Sequence, residues 1–151
     1  MYKRQAINRA LCHHAALGRF VTLFLAVYDP RTGRLRYANA GHNPPIVARA
    51  GGQVERLAEG GLVAGAFEHA QYDGGEITLA AGDRLCLFTD GLPEARTLAD
   101  EEIGDARIVD LVREARALTA GAIVDRLFAE VGRAIGGPCQ DDATAVVLAI
   151  A

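Results

Sequence analysis

The spacing of apolar positions changes once along the chain, close to Asp90. Before it, short apolar runs are separated by glycine, proline and aspartate turns. After it, apolar residues recur at intervals of three and four. Phe20 to Tyr28 (FVTLFLAVY) is dense in β-branched and aromatic residues and reads as a buried strand. Asp29 to Gly33 forms a turn, and Leu35 to Ala40 alternates and returns as the second strand of a hairpin. Ile46–Arg49 and Gln53–Leu57 flank Gly51-Gly52 and predict a second hairpin. Gly60 to Gly75 is rich in glycine and predicts an irregular surface loop, followed by short strands at Glu76–Leu79 and Arg84–Phe88 around the Ala81-Gly82-Asp83 turn. Ile108, Leu111, Val112 and Ala115 define one face of a helix for which Asp105 is the expected N-cap. Thr119 is the expected cap of a second helix over Ala120–Ile135, whose buried side carries Ile123, Leu127, Val131 and Ile135 and which Gly136-Gly137-Pro138 stops. Ala143 to Ile150 closes the chain as a last buried strand, and Ile7–Leu11 reads as the end of a helix. Antiparallel strands, two helices and a closing strand make the class α+β.

Composition narrows the function. The length, 151 residues, suits one domain or part of one. Half of the residues are hydrophobic and 23% charged, an ordinary globular balance that excludes a disordered tail, a collagen-like chain and a disulfide scaffold. A formal charge of −3 argues against nucleic acid as a partner, because phosphate neutralisation needs clustered Lys and Arg. With 6% aromatics and no Trp, base-stacking platforms are not expected either. Cys12, Cys86 and Cys139 are far apart and form no C-x-x-C pair, so they read as free thiols in a reducing cytoplasm. No apolar run approaches the ~18 residues of a membrane span, and the charged start MYKRQAINRALCHH lacks the apolar region of a signal peptide. The expected location is cytoplasmic.

Three segments carry candidate chemistry. In Leu87-Phe88-Thr89-Asp90-Gly91 an apolar strand delivers Asp90 into a turn, and Gly91 allows close approach to the backbone. In Gln140-Asp141-Asp142-Ala143-Thr144 two carboxylates stand at the entrance of the last strand. Carboxylates held at strand ends suit hard cations such as Mg²⁺ or Mn²⁺. The same residues also suit ordinary turn chemistry, since Asp-Gly is a common turn pair and Asp142 can satisfy loop amides. The third segment is Asn39-Ala40-Gly41-His42-Asn43-Pro44-Pro45, in which His42 is either a general acid or metal ligand, or a residue that hydrogen-bonds its own loop. His13, His14 and His69 read as surface residues. No G-x-S-x-G, H-E-x-x-H, G-x-G-x-x-G or P-loop pattern occurs.

In combination, NAGHNPP (39–45), TDGLPEA (89–95) and QDDAT (140–144) resemble the SpoIIE-like, RsbU-like branch of the PPM (PP2C-type) metal-dependent serine/threonine phosphatases. The resemblance runs from about Ala6 to the end of the chain. It implies a PP2C-like β-sandwich flanked by helices in αββα layers, here without its N-terminal strands. It also implies two Mn²⁺ or Mg²⁺ ions bridged by a water that attacks a phosphoserine or phosphothreonine in line. Carried over residue by residue, the catalytic and metal-binding aspartates fall on Asp90 and Asp141. Gly91, Asp142 and Thr144 fall on positions that support them or shape the backbone, and the NAGHNPP loop falls on a structural element.

The departures from the family pattern are as informative. Members carry earlier G-D-x-x-D and D-V-x-G-H-G motifs that supply further metal-binding aspartates, and this sequence contains neither. Two octahedral ions ~4 Å apart offer about ten coordination positions, so Asp90 and Asp141 alone are expected to bind metal weakly and to support little hydrolysis. Met1-Tyr2-Lys3-Arg4-Gln5 is what GTG-TAT-AAG-AGA-CAG would give with GTG as initiator, a string that resembles the end of a library-preparation adapter; the alternative is a natural N-terminus with a charged first turn. Residues 1–5 are therefore expected to be a non-native start on a gene truncated by a sequencing artefact, and residues 6–151 the C-terminal portion of one phosphatase domain. Exposed sheet edges and apolar faces are then expected, with a tendency to aggregate. The resemblance further implies a regulatory phosphoprotein partner, such as an anti-sigma-factor antagonist, an upstream sensor domain or regulator, and a possible homodimer. A second reading is a non-catalytic module that only binds the phosphoprotein, against which the two retained carboxylates speak. A third, a two-carboxylate glycosidase, lacks the aromatic platforms that sugar clefts use.

Overall fold

The computed structural model describes residues 2–14, 19–137 and 142–151. In chain order the elements are α1 (Tyr2–His14), β1 (Leu23–Asp29), β2 (Arg34–Ala40), β3 (Ile46–Ala48), β4 (Val54–Arg56), β5 (Gly60–Gly61), β6 (Gly75–Thr78), β7 (Arg84–Phe88), α2 (Asp105–Ala115), α3 (Ala120–Ile135) and β8 (Ala145–Ala149). They fall into two units, Met1–Pro44 with Leu57–Leu79, and Pro45–Arg56 with Ala80–Ala151.

In the first unit β1 and β2 form the expected hairpin, in register from Leu23↔Ala40 to Asp29↔Arg34. The other edge of β2 is shared: β6 pairs antiparallel with Arg34–Tyr37, and β5 pairs parallel with Asn39 and Ala40. The 60–75 segment is therefore more ordered than a glycine-rich loop suggests. Its glycines permit this. A Cβ on Gly60 would lie inside the Asn39 carbonyl group, so only hydrogen fits where β5 meets β2. The rest of the segment is tied to α1 by Asn8, which is 1% exposed. Its Nδ2 donates to the Phe67 carbonyl at 2.9 Å, and its Oδ1 accepts from the Gly65 amide at 2.8 Å and the Tyr72 hydroxyl at 3.0 Å. A buried amide with every polar atom engaged orients the helix against the loop.

In the second unit the sheet order is β4-β3-β7-β8, all antiparallel. Ile46, Ala48, Cys86 and Phe88 project from one face of this sheet into a core with Ile108, Leu111, Val112 and Ala115 of α2 and Ile123, Leu127 and Val131 of α3. The period of three and four predicted these helix faces; only Ile135 is partly rather than fully buried. Cys86 lies within this core without exposure, and burial pushes its thiol up to about 12.

Both helix ends of α3 match expectation. The Thr119 side chain accepts from the Ala122 amide, and Gly136 ends the helix in the left-handed conformation. The start of α2 does not. Gly104, at φ 78°, occupies the N-cap, and Asp105 is the first helical residue. The Asp105 carboxylate turns to Arg56 Nη2 at 2.9 Å instead, where it still faces the positive end of the helix.

The first and last strands also differ from expectation. Both were expected to be buried, yet Val27 in β1 is 60% exposed and Val146 in β8 is 55% exposed. Each is an edge strand of its sheet. A continuous apolar run normally marks a strand covered on both faces, whereas these cover one.

Asp83, immediately before β7, is 2% exposed and closes two turns. Its carboxylate accepts from the Ala80 amide at 3.0 Å, the Ala50 amide at 3.0 Å and Arg49 Nη1 at 2.7 Å. Burial alone would raise its pKa. The backbone donors and the guanidinium overcome this and hold the carboxyl below its usual value. A depressed folded-state pKa adds stability that is complete above the unfolded value, near 4, and is lost as pH falls through the folded value. Thermal melts of the chain should therefore drop steeply below about pH 4. Asp83→Ala should cost ~3 kcal/mol near neutrality and flatten that acid limb. An unchanged acid limb in the variant would contradict this role.

Candidate functional site

Strand β7 carries the site. Leu85, Cys86 and Phe88 are buried and fix the strand; beyond them the chain turns at Thr89–Glu94. Two backbone bonds define the turn, Leu92 N–H to Thr89 O at 3.3 Å and Glu94 N–H to Asp90 O at 2.9 Å. Leu92 is fully buried and anchors it from below. Asp90 is left exposed at its crest, and its carboxylate makes no hydrogen bond or ion pair among the described residues.

The second acidic segment is bound to this turn by Thr89. The Thr89 amide donates to the Thr144 carbonyl at 3.0 Å, continuing the β7–β8 ladder. The Thr89 hydroxyl accepts from the Thr144 amide at 2.9 Å and donates to the Asp142 carbonyl at 3.2 Å. Gly91 completes the contact: a Cβ there would stand 2.7 Å from the Asp142 carbonyl oxygen. Glycine is thus required by proximity, not by backbone angle. The structure therefore brings Asp90, Gly91, Asp142 and Thr144 to one end of the β7–β8 pair. Asp141 lies outside the described residues. Thr89 is the member that sequence reading did not single out. Its signal was a threonine directly before the aspartate, immediately after an apolar strand.

His42 sits elsewhere, in the first unit. Its amide donates to Asn39 Oδ1 at 2.7 Å, and Asn39 Nδ2 donates back to the His42 carbonyl at 2.8 Å. Its ring Nδ1 is 3.4 Å from the Thr22 hydroxyl. The buried Asn39 side chain thus clamps the loop around His42, the structural alternative of the two. His13 and His69 are exposed as expected; the side chain of His14 lies outside the described residues.

An exposed carboxylate at a rigid strand end fits a hard divalent cation in kind, but not in number. Among the described residues no three His, Cys, Asp or Glu side chains gather into a group able to hold a metal, and such an ion takes six or more oxygen ligands. No helix among the described residues is long and apolar enough to cross a membrane.

The SpoIIE family (Stage II sporulation protein E) matches residues 4–151. The chain belongs to the SpoIIE family. Protein IcfG of Synechocystis is 29% identical over 136 residues, and phosphoserine phosphatase RsbU of Bacillus subtilis is 27% identical over 143. The matched regions cover 89% and 94% of this chain but 21% and 42% of those proteins, so the chain spans less than half of either relative. The phosphatase domain of SpoIIE from B. subtilis, in a Mn-presoaked crystal, superposes with a TM-score of 0.69 at 24% identity. That match covers 99% of this chain and 66% of the other. The SpoIIE-family chain thus has the PP2C phosphatase fold over part of a domain, in the SpoIIE/RsbU-like branch of the PPM phosphatases.

The Thr89 hydroxyl makes a specific demand on this end of the sheet. Thr89→Val should accelerate hydrogen exchange at the Thr144 amide roughly five- to tenfold, the loss of one bond worth about 1 kcal/mol. Thr89→Ser should leave it unchanged. Equal exchange in the two variants would remove the hydroxyl from the account.

Proposed function

We propose that this chain is the C-terminal portion, residues 6–151, of a metal-dependent protein serine/threonine phosphatase domain, with Asp90 and Asp141 as its contribution to a two-ion Mn²⁺ or Mg²⁺ site. The observation that carries this reading is the exposed Asp90 carboxylate, held beside the Asp142 segment by Thr89 and Gly91. Bound ions of this kind lower the pKa of a water and offset charge on a phosphoryl group. The chain's own part is to hold Asp90 at the end of the β7–β8 pair, beside the segment that follows Asp141. Gly91, Asp142 and Thr144 act as the backbone frame of that pair.

The substrate class is a phosphoserine or phosphothreonine on a regulatory protein such as an anti-sigma-factor antagonist. An upstream sensor or regulator and homodimerisation are the expected means of control, in the cytoplasm. We infer that the chain alone is a poor catalyst, because two carboxylates leave most of the coordination positions of two ions unfilled.

Hydrolysis of p-nitrophenyl phosphate with Mn²⁺ tests the proposal, comparing the chain with a form extended by a family segment carrying G-D-x-x-D and D-V-x-G-H-G. The extended protein should turn over and lose activity on chelation. Asp90→Asn or Asp141→Asn should lower its rate by about 100-fold or more, since removing mere outer-shell partners of a metal costs 10- to 100-fold. An extended protein that folds, binds Mn²⁺ and stays inert on phosphoproteins would favour the binding-module reading. An active short chain would overturn the ligand count.

A further inference from the structure

The four-stranded sheet of the second unit has two edges, β4 and β8. β4 reads Val-Glu-Arg, and its charges guard it against pairing. β8 reads Ala-Val-Val-Leu-Ala and carries no such guard. The hydrogen bonds at its two ends tell which of its backbone groups are spoken for. The Thr144 carbonyl accepts from the Thr89 amide and the Ile150 amide donates to the Asp83 carbonyl, each at 3.0 Å. In an antiparallel ladder, bonded and non-bonded positions alternate. Thr144, Val146, Leu148 and Ile150 therefore turn their backbone groups toward β7. Ala145, Val147 and Ala149 turn theirs away from it, to the side where no strand pairs with β8 among the described residues.

The sequence of β8 says which strand fits that edge. It reads nearly alike in both directions about Val147: Ala145 balances Ala149, and Val146 balances Leu148. Laid antiparallel on a second copy with Val147 opposite Val147, the outward groups of both strands meet all at once. Ala145 of each copy then pairs with Ala149 of the other. Val146 faces Leu148 in the closer, non-bonded positions between, where side chains that are 55% and 37% exposed cover one another. A slip of one residue would set outward groups against groups already bonded to β7. No charge on the strand calls for a partner of opposite charge.

We propose that β8 is a self-pairing edge, through which two copies of this chain form a two-fold symmetric dimer with their sheets joined into one. The contact is isologous, the same five-residue patch on each side. So short a contact falls below the area of a permanent interface, so the dimer is weak and depends on concentration. Antiparallel pairing sets the Thr144 end of one β8 beside the Ile150 end of the other. The two Asp90 turns then lie at opposite ends of the joined strands, and neither covers the other. This inference does not rest on the phosphatase reading.

Amide exchange of the ¹⁵N-labelled chain, followed by NMR over a dilution series, reads the alternation directly. The Ala145, Val147 and Ala149 amides should slow as concentration rises, in proportion to the monomer fraction measured by sedimentation velocity. Val146 and Leu148 should stay slow throughout. Ala149→Pro removes one outward donor at an exposed position and no bond to β7, so it should keep a dispersed spectrum and abolish the concentration dependence. A second measurement stands whether or not that variant folds. With Cys12 and Cys139 replaced by serine, mild oxidation of a mixture of Val146→Cys and Leu148→Cys chains should give several-fold more disulfide-linked dimer than either variant alone. A monomer at every concentration, a dimer without protection at these three amides, or no more cross-linking in the mixture than in its parts would overturn the proposal. Protection that does not change with concentration would give the edge to a segment of the same chain and overturn it equally.

Discussion

Strand β7 is held at both ends by side-chain oxygens, and the geometry of the acidic site follows from that. At its base the Asp83 carboxylate gathers the Ala80 and Ala50 amides and Arg49, while the Asp83 carbonyl accepts from the Ile150 amide at 3.0 Å. At its far end the Thr89 hydroxyl joins the Thr144 amide and the Asp142 carbonyl. Between them the ladder with β8 runs without a break from Arg84↔Ala149 to Phe88↔Ala145. A one-residue slip would turn Cys86 and Phe88 out of the core and move Asp90 relative to Asp142 together. Folding energy and the geometry of the acidic turn are thus set by the same register.

The helices were legible in the sequence because a single apolar face has a period that nothing else imitates. Ile108, Leu111, Val112, Ile123, Leu127 and Val131 are all buried. Capping was legible where a side chain does it, at Thr119, and illegible where glycine does it, at Gly104. Pairing across distance was the main loss. The strands that flank the Ala81-Gly82-Asp83 turn join different sheets, β6 on β2 and β7 between β3 and β8. No local pattern announces that. Asp83 escaped notice for the same reason, since its partners at Ala50 and Arg49 are remote in sequence. Of the candidate site, Asp90, Gly91, Asp142 and Thr144 were readable as motif residues, while the hydroxyl that joins them was not.

The sheet edges bear on how the chain behaves in solution. β8 reads Ala-Val-Val-Leu-Ala, with no charge and no proline, and Val146 and Leu148 are exposed on it. Natural edges are usually guarded by one or the other. β1 is similar in its middle, where Val27 stands open. Uncharged, proline-free edges of this kind are the strands most open to pairing with another chain.

Cys86 offers a different use of that core. Its thiol is sealed between the β7 sheet face and the two C-terminal helices, and its proton is held far more tightly than that of a solvated cysteine. Only the thiolate reacts with alkylating reagents, so Cys86 is chemically silent until the sheet and helices part. With Cys12 and Cys139 replaced by serine, the alkylation rate of Cys86 becomes a clock for the opening of the unit that carries Asp90, one that runs without denaturant.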